Sequence, residues 1–359
     1  MLTSEGAVAS RVAQGLDRVL GRAVAAEPTV ARSRFELDTD RLIIFSDLHR
    51  GARNAADEFR VAEPAYRAAL AYYFRLGHTL ALLGDAEELW EERPRDVLHH
   101  YRETFELEAA YHLQGRYWRV WGNHDDEWQH PERVEELLQP VYGGDPLQTY
   151  EGLLLTVTDD GAPLGRMLLV HGHHGDRKSD AWSPISRLVI RYIWRNYQRL
   201  THARVNTPAT SWDLRYMLNR AIYAWAEQQP KLVLIAGHTH NPVFRSQSLV
   251  DLMASELAAL ERTAGPSPGP AEREAMALLA ARLEWARTEA QEAKRQSEGV
   301  VFAKPCYFNT GCCCYDDGDI TGIELVDGEI RLVRWPAAED EVRPTILERA
   351  SLRDVIAAL

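Results

Sequence analysis

Nowhere in this chain is there a run approaching the ~20 consecutive apolar residues that a membrane-crossing helix needs, so no transmembrane segment is expected. Cysteine is scarce: of four residues, Cys312, Cys313 and Cys314 are adjacent and Cys306 lies nearby. Neighbours on a strand point to opposite faces, so the run is not expected to build a four-thiolate zinc site and reads as buried strand residues. So few thiols fit a reducing compartment, and a cytoplasmic location is expected. Positive charge is also in deficit, with 41 Lys and Arg against 53 Asp and Glu and a formal net charge of −12. A surface that coats phosphate backbones needs the opposite balance, so nucleic acid is an unlikely partner on charge alone. Residues 1–27 lack the uninterrupted apolar core of a secretory signal, and export is not expected. Instead Val8, Val12, Leu16, Val19 and Leu20 share one helical face, with Arg11, Asp17 and Arg18 opposite. Residues 1–35 are therefore expected to form an N-terminal helical extension packed on the domain or on a partner.

What is present is an ordered globule, 45% hydrophobic and 26% charged, whose 359 residues suffice for one large domain with insertions. Four apolar runs, Leu42-Ile43-Ile44-Phe45, Leu80-Ala81-Leu82-Leu83, Met167-Leu168-Leu169-Val170 and Leu232-Val233-Leu234-Ile235-Ala236, read as buried strands. A fifth strand is expected at residues 117–121, and helices at 57–76 and 94–114 alternate with these strands, which indicates an α/β sandwich. Polar residues stand at or just beyond the strand ends: Asp47 and His49, Asp85, Asn123 and His124, His171, then His238 and His240. Strands that deliver such residues at their carboxyl ends converge them on one rim of a sheet. With His124 left aside as the neighbour of Asn123, three carboxylate or amide oxygens and four imidazoles suit two divalent metals of the Mn, Fe or Zn kind.

In these blocks (Asp47-x-His49, Gly84-Asp85, Gly122-Asn123-His124-Asp125, His171-Gly172 and Gly237-His238-Thr239-His240) the chain resembles the calcineurin-like metallophosphoesterases. The resemblance covers residues 41–241 and resumes at 307–335. It implies an α/β fold of αββα layers and two divalent metal ions, Mn first, with Fe or Zn as alternatives. Asp47, His49 and His240 would hold one metal, Asn123, His171 and His238 the other, and Asp85 would bridge both. A hydroxide shared between the metals would hydrolyse a phosphate ester or pyrophosphate. His124 would protonate the leaving group, with Asp125 as its orienting partner. His173 and His174 follow His171 and compete for the same ligand slot. His171 ends its strand directly, as the family's ligand does, which leaves His173 as a substrate contact. The run Ala86-Glu87-Glu88-Leu89-Trp90 is similar to the UDP-2,3-diacylglucosamine hydrolase branch, whose best-known members carry Arg where His124 stands here.

Two insertions interrupt the domain expected over residues 36–359. A helical cap is expected at about 180–229, where Arg187, Arg191, Arg195 and Arg199 recur every four residues. Arg191 and Arg195 are candidates for holding a second phosphate; the alternative is a solvated charged face. A helical hairpin is expected at about 247–299 from the apolar positions Leu249, Leu252, Met253, Leu257 and Leu260, and Met276, Leu279, Leu283 and Ala286. The hairpin either packs on its own domain or provides a homo-oligomer surface. The expected activity is a metal-dependent phosphohydrolase acting on a small nucleotide- or lipid-linked phosphate. A nuclease of the same superfamily and a non-catalytic scaffold are the competing classes.

Overall fold

The computed structural model describes residues 5–54, 57–174, 212–248, 253–254, 257–258, 260–262, 269–289, 304–337 and 343–359. Two sheets form its centre. In the larger, the strands β1 (Val30–Glu36), β5 (Gly152–Asp159), β6 (Ala162–Val170), β7 (Leu232–Ala236), β10 (Tyr307–Asn309), β8 (Val243–Phe244) and β9 (Gln247–Ser248) lie in that spatial order. In the other the order is β13 (Thr345–Ser351), β12 (Glu329–Trp335), β11 (Ile320–Val326), β2 (Leu42–Phe45), β3 (Thr79–Leu83), β4 (Tyr117–Val120). The runs β2-β3-β4 and β6-β7-β10 are parallel, so their carboxyl ends reach the same edge of each sheet.

Alternation along each strand assigns its side chains to layers. Ile44, Ala81 and Leu83 point inward and pack with Leu155, Leu169 and Ile235 of the opposite sheet. Ile43, Phe45, Leu80 and Leu82 point outward into a second core with Tyr66, Leu70, Phe105 and Ala109. Those last four come from helices α2 (Glu63–Arg75) and α4 (Arg102–Leu113), while α3 (Pro94–His100) adds Val97 to the same core. A strand covered on both faces has no polar side to show, which is why these segments read as unbroken apolar runs. Behind the larger sheet, Leu168, Leu234 and Ala236 are covered by α1 (Glu5–Val24) and α5 (Trp212–Ala226). The result is an αββα sandwich, as the resemblance implies.

Several boundaries differ from expectation. The stripe Val8, Val12, Leu16 and Val19 is buried on the larger sheet, and α1 forms an outer layer of the sandwich. A boundary at residue 35 would cut β1, which pairs with β5 along its whole length. Trp225 Nε1 also donates to Asp17 Oδ1 at 2.8 Å, tying α5 to α1. The helix expected over 94–114 is two, broken where Tyr101 leaves helical geometry at φ −111° and ψ 23°. The cysteine run is buried but lies in the loop between β10 and β11, not on a strand. Of the expected cap, Arg187, Arg191, Arg195 and Arg199 lie outside the described residues, and α5 is the described part. In the expected hairpin, α6 (Pro270–Glu289) contributes Leu283, which with Met253 joins the core between the sheets, so these residues pack on their own domain.

Beneath the rim lies a buried ionic cluster. Arg50, Glu87, Glu108 and Arg119 are wholly excluded from solvent. Arg50 donates to Glu87 Oε1 and Glu108 Oε1, both at 2.7 Å, and Arg119 pairs with Glu87 Oε2. Tyr66 and Tyr142 donate to Glu108 at 3.0 and 2.6 Å, and Trp128 Nε1 to Glu87 at 2.7 Å. Burying four charges carries a large desolvation cost that only such complete pairing offsets. Replacing Glu108 by Ala leaves two buried guanidinium groups sharing the single carboxylate of Glu87, and a stability loss of about 3–5 kcal/mol is expected from the urea midpoint. A loss below about 1 kcal/mol would show that the cluster is not a stabilising unit.

Candidate metal centre

The strand ends do not simply stop; they turn. Asp47, His49, Asp85, His238 and His240 have φ of 53°, 50°, 50°, 69° and 54°, the left-handed region that side chains other than glycine enter at a cost. Backbone bonds between neighbouring loops hold them there: Asp47 N–H to Gly84 O at 3.1 Å, His49 N–H to Asp85 O at 2.9 Å and Leu89 N–H to His124 O at 3.1 Å. The loops touch so closely that a Cβ on Gly122 would sit 2.6 Å from the Asp85 nitrogen. One on Gly237 would strike the side chains of Ser46 and Asp47, so both positions require glycine.

These turns gather the candidate side chains. Ligand-type atoms of Asp47, His49 and His240 lie within 4.8 Å of one another, and so do those of Asp85, His171 and His238. A third group, His49, Asp85 and His124, links the two. His240 Nε2 is 3.3 Å from Asp47 Oδ1 and 3.2 Å from His49 Nε2. Asp85 presents Oδ2 at 3.0 Å from His171 Nε2 and 3.9 Å from His49 Nε2, while its Oδ1 accepts the His124 N–H at 2.8 Å. His171 Nδ1 donates to Leu83 O at 2.7 Å, which fixes the tautomer that turns the Nε2 lone pair inward. Asn123 is buried, and its Oδ1 accepts no hydrogen bond among the described residues. His171, not His173, shares a group with Asp85 and His238 among the described residues. His173 stacks on His174 at 4.5 Å and lies 5.4 Å, ring to ring, from His171.

Asp125 is not where the sequence reading put it. Its carboxylate is fully buried and accepts backbone N–H bonds from Gly122 (2.6 Å), Asp85 (3.2 Å) and Ala86 (2.9 Å). With its acceptors spent on the backbone, it holds loops rather than the His124 ring. Glu88 takes that place, with Oε2 at 2.7 Å from His124 Nδ1 and 3.1 Å from His49 Nδ1. Trp90 stacks on His124 at 3.9 Å between ring centroids. Sequence reasoning passed over Glu88 and Trp90 as site residues. The signal for both was their distance from Asp85, three and five positions along one loop.

Charge is concentrated here. Burial alone would raise the Asp47 pKa, but His240 and His171 hold it at about 2. Asp85 is likewise held well below the usual carboxylate range, its burial outweighed by His171 and His124. Burial would depress His124, yet Glu88 and Asp85 lift it to about 9. For His238 burial prevails, helped by His171, and its pKa drops to about 3. Two buried carboxylates kept ionised, an amide oxygen without a donor and imidazoles packed nitrogen to nitrogen make a donor set that fits divalent cations. At the edge, Cys314 Sγ lies 3.7 Å from His240 Nδ1, with Cys312 beside it. Burial would raise the Cys312 thiol, but hydrogen bonds with Cys314 and His240 bring it down to about 6.

Among solved structures, vacuolar protein sorting 29 from Cryptosporidium parvum is similar at 10% identity and a TM-score of 0.33, covering 87% of this chain and 98% of that one. No curated protein matches the chain. The calcineurin-like phosphoesterase family model matches residues 40–242, which span every one of the seven candidate ligands. That segment is more than half of the 359 residues, and the chain belongs to the calcineurin-like phosphoesterase family.

Proposed function

We propose that this protein is a dinuclear metal-dependent phosphohydrolase acting on a small nucleotide- or lipid-linked phosphate. The observation that carries the reading is the pair of three-residue groups, Asp47/His49/His240 and Asp85/His171/His238, joined through His49 and Asp85. One cation would be held by Asp47, His49 and His240 and the other by Asn123, His171 and His238, with Asp85 between them. Two divalent ions, manganese first, would supply Lewis acidity at the phosphoryl oxygens and acidify water.

The remaining chemistry belongs to the side chains. His124 has Nδ1 against Glu88, which leaves Nε2 as the ring nitrogen for the leaving oxygen. Its raised pKa, near 9, keeps it protonated at neutral pH, as a general acid must be. Trp90 packs on the ring face and limits its rotation. His173, whose ring lies 5.4 Å from that of His171, is the candidate substrate contact, and Arg191 and Arg195 remain candidates from the expected cap. The net charge of −12 supports a small substrate over a nucleic acid. The UDP-2,3-diacylglucosamine hydrolase branch is the preferred analogy for residues 86–90. A cytoplasmic location is supported by four free, buried thiols.

Protein stripped by chelation and reloaded with Mn is expected to hydrolyse p-nitrophenyl phosphate or its bis ester. Asp85→Asn should fall to background and bind less metal. Wild-type protein that holds two metals yet degrades only single- or double-stranded DNA would assign the nuclease class instead. Protein that binds no metal and gains no activity would assign a scaffold.

His124→Ala is expected to keep its metals and to lose about 10²–10⁴-fold with alkyl leaving groups while sparing aryl ones. Glu88→Gln removes the nearest charge that favours the protonated ring, so the alkaline limb of the rate profile should move to lower pH. An unmoved limb, or equal loss with both leaving groups, rules out the general-acid assignment.

A further inference from the structure

Two of the four cysteines face the rim. Cys313 points away, with Sγ 3.8 Å from Thr321 O in the core beneath α2, and Cys306 lies beside Ser246. Cys312 and Cys314 form a separate small cluster with Tyr315. Their sulfurs and a nitrogen of His240 lie within 4.8 Å of one another. The loop that carries them is pinned by Cys313 N–H to Asp47 O at 3.1 Å and Thr321 N–H to Cys312 O at 3.0 Å. Cys312 and Cys314 are 2% and 7% exposed, so the sulfurs already sit in a nearly dry recess.

We propose that His240 Nδ1, Cys312 Sγ and Cys314 Sγ form a further cation site, selective for a soft divalent ion of the zinc or cadmium class, whose filling inhibits the adjoining metal centre. The dimensions fit. Tetrahedral zinc with bonds of about 2.3 Å to sulfur and about 2.0–2.1 Å to nitrogen sets the two ligand atoms about 3.6 Å apart. Cys314 Sγ and His240 Nδ1 are 3.7 Å apart, so little movement is needed. Two thiolates and one imidazole prefer zinc or cadmium to manganese, whereas the neighbouring set of carboxylates, amide and imidazoles also accepts manganese. Binding requires both sulfurs as thiolates and a free lone pair on His240 Nδ1, so any proton held on these three atoms is released to solvent.

Inhibition follows from the shared ring, and this part rests on the proposed phosphohydrolase reading. His240 turns Nε2 towards Asp47, at 3.3 Å, and Nδ1 towards the thiols. A neutral imidazole has one lone pair, so a cation at Nδ1 leaves only a protonated Nε2 facing Asp47. The two sites therefore compete for one side chain.

The test uses the whole protein. After chelation and Mn reloading, one equivalent of Co(II) should give the near-ultraviolet thiolate-to-cobalt charge-transfer band, and zinc should displace it. Cys314→Ser alone should weaken the band, and Cys312→Ser with Cys314→Ser should remove it. Cys306→Ser should leave it intact. Zinc should abolish the Mn-supported activity of wild type at one added ion per chain and spare the double variant. Absence of the band in wild type, which needs no variant to fold, overturns the site, as does its survival in the double variant. A band with no phosphoesterase activity keeps the site and refutes the functional reading alone. A band with activity unaffected by zinc refutes the competition.

Discussion

The Asp85 carboxylate ties the rim together. One oxygen accepts the His124 N–H, and the other faces His171 Nε2 at 3.0 Å and His49 Nε2 at 3.9 Å. Through these contacts a single buried charge touches loops from β2, β3, β4 and β6. Its own position is set from below, because Asp125 accepts the Asp85 and Ala86 N–H groups, and Arg119 lies 3.8 Å from Asp125. Arg119 in turn belongs to the buried cluster with Glu87 and Glu108. The dry ionic layer and the candidate centre are thus one electrostatic unit, in which each charge is tolerated because the next one faces it.

That unit explains why strain can persist at the rim. Five candidate ligands sit at positive φ, a conformation that costs of order 1–3 kcal/mol per residue when nothing enforces it. Here cross-loop hydrogen bonds and glycine contacts enforce it, and each turn aims its side chain at the same small volume. Asn309 extends the scaffold on the far side, donating from Nδ2 to Gly237 O at 2.7 Å and so bracing the loop that carries His238 and His240. Hard and soft donors then lie against each other: carboxylates and imidazoles on one side of His240, two thiols on the other. Such a boundary gives one imidazole two chemically different neighbours, and its choice of tautomer decides which of them it serves.

Much of this is legible in the sequence alone. Buried strands announce themselves because both of their faces are apolar, so β2, β3 and β7 are legible nearly to the residue, whereas β6 begins five residues before its apolar run. The helical stripe of α1 was equally plain, though its place as an outer layer was not, since a stripe records that a face is buried and not what covers it. The Tyr101 break between α3 and α4 left no glycine or proline to mark it. Cys312 to Cys314 read as strand because apolar composition does not distinguish a buried loop from a strand.

By itself the sequence determined the α/β class and the order in which ligand-type residues follow their strands, because periodicity and strand-end chemistry are local; the αββα layering came with the family resemblance. Only the tertiary structure decided that Glu88, not Asp125, faces the His124 ring, that His171 joins Asp85 while His173 turns to His174, and that two thiols reach His240. Those outcomes depend on the directions in which side chains leave tight, positive-φ turns, and on which donors of a neighbouring loop are already engaged. Neither is written in the spacing of residues along a chain.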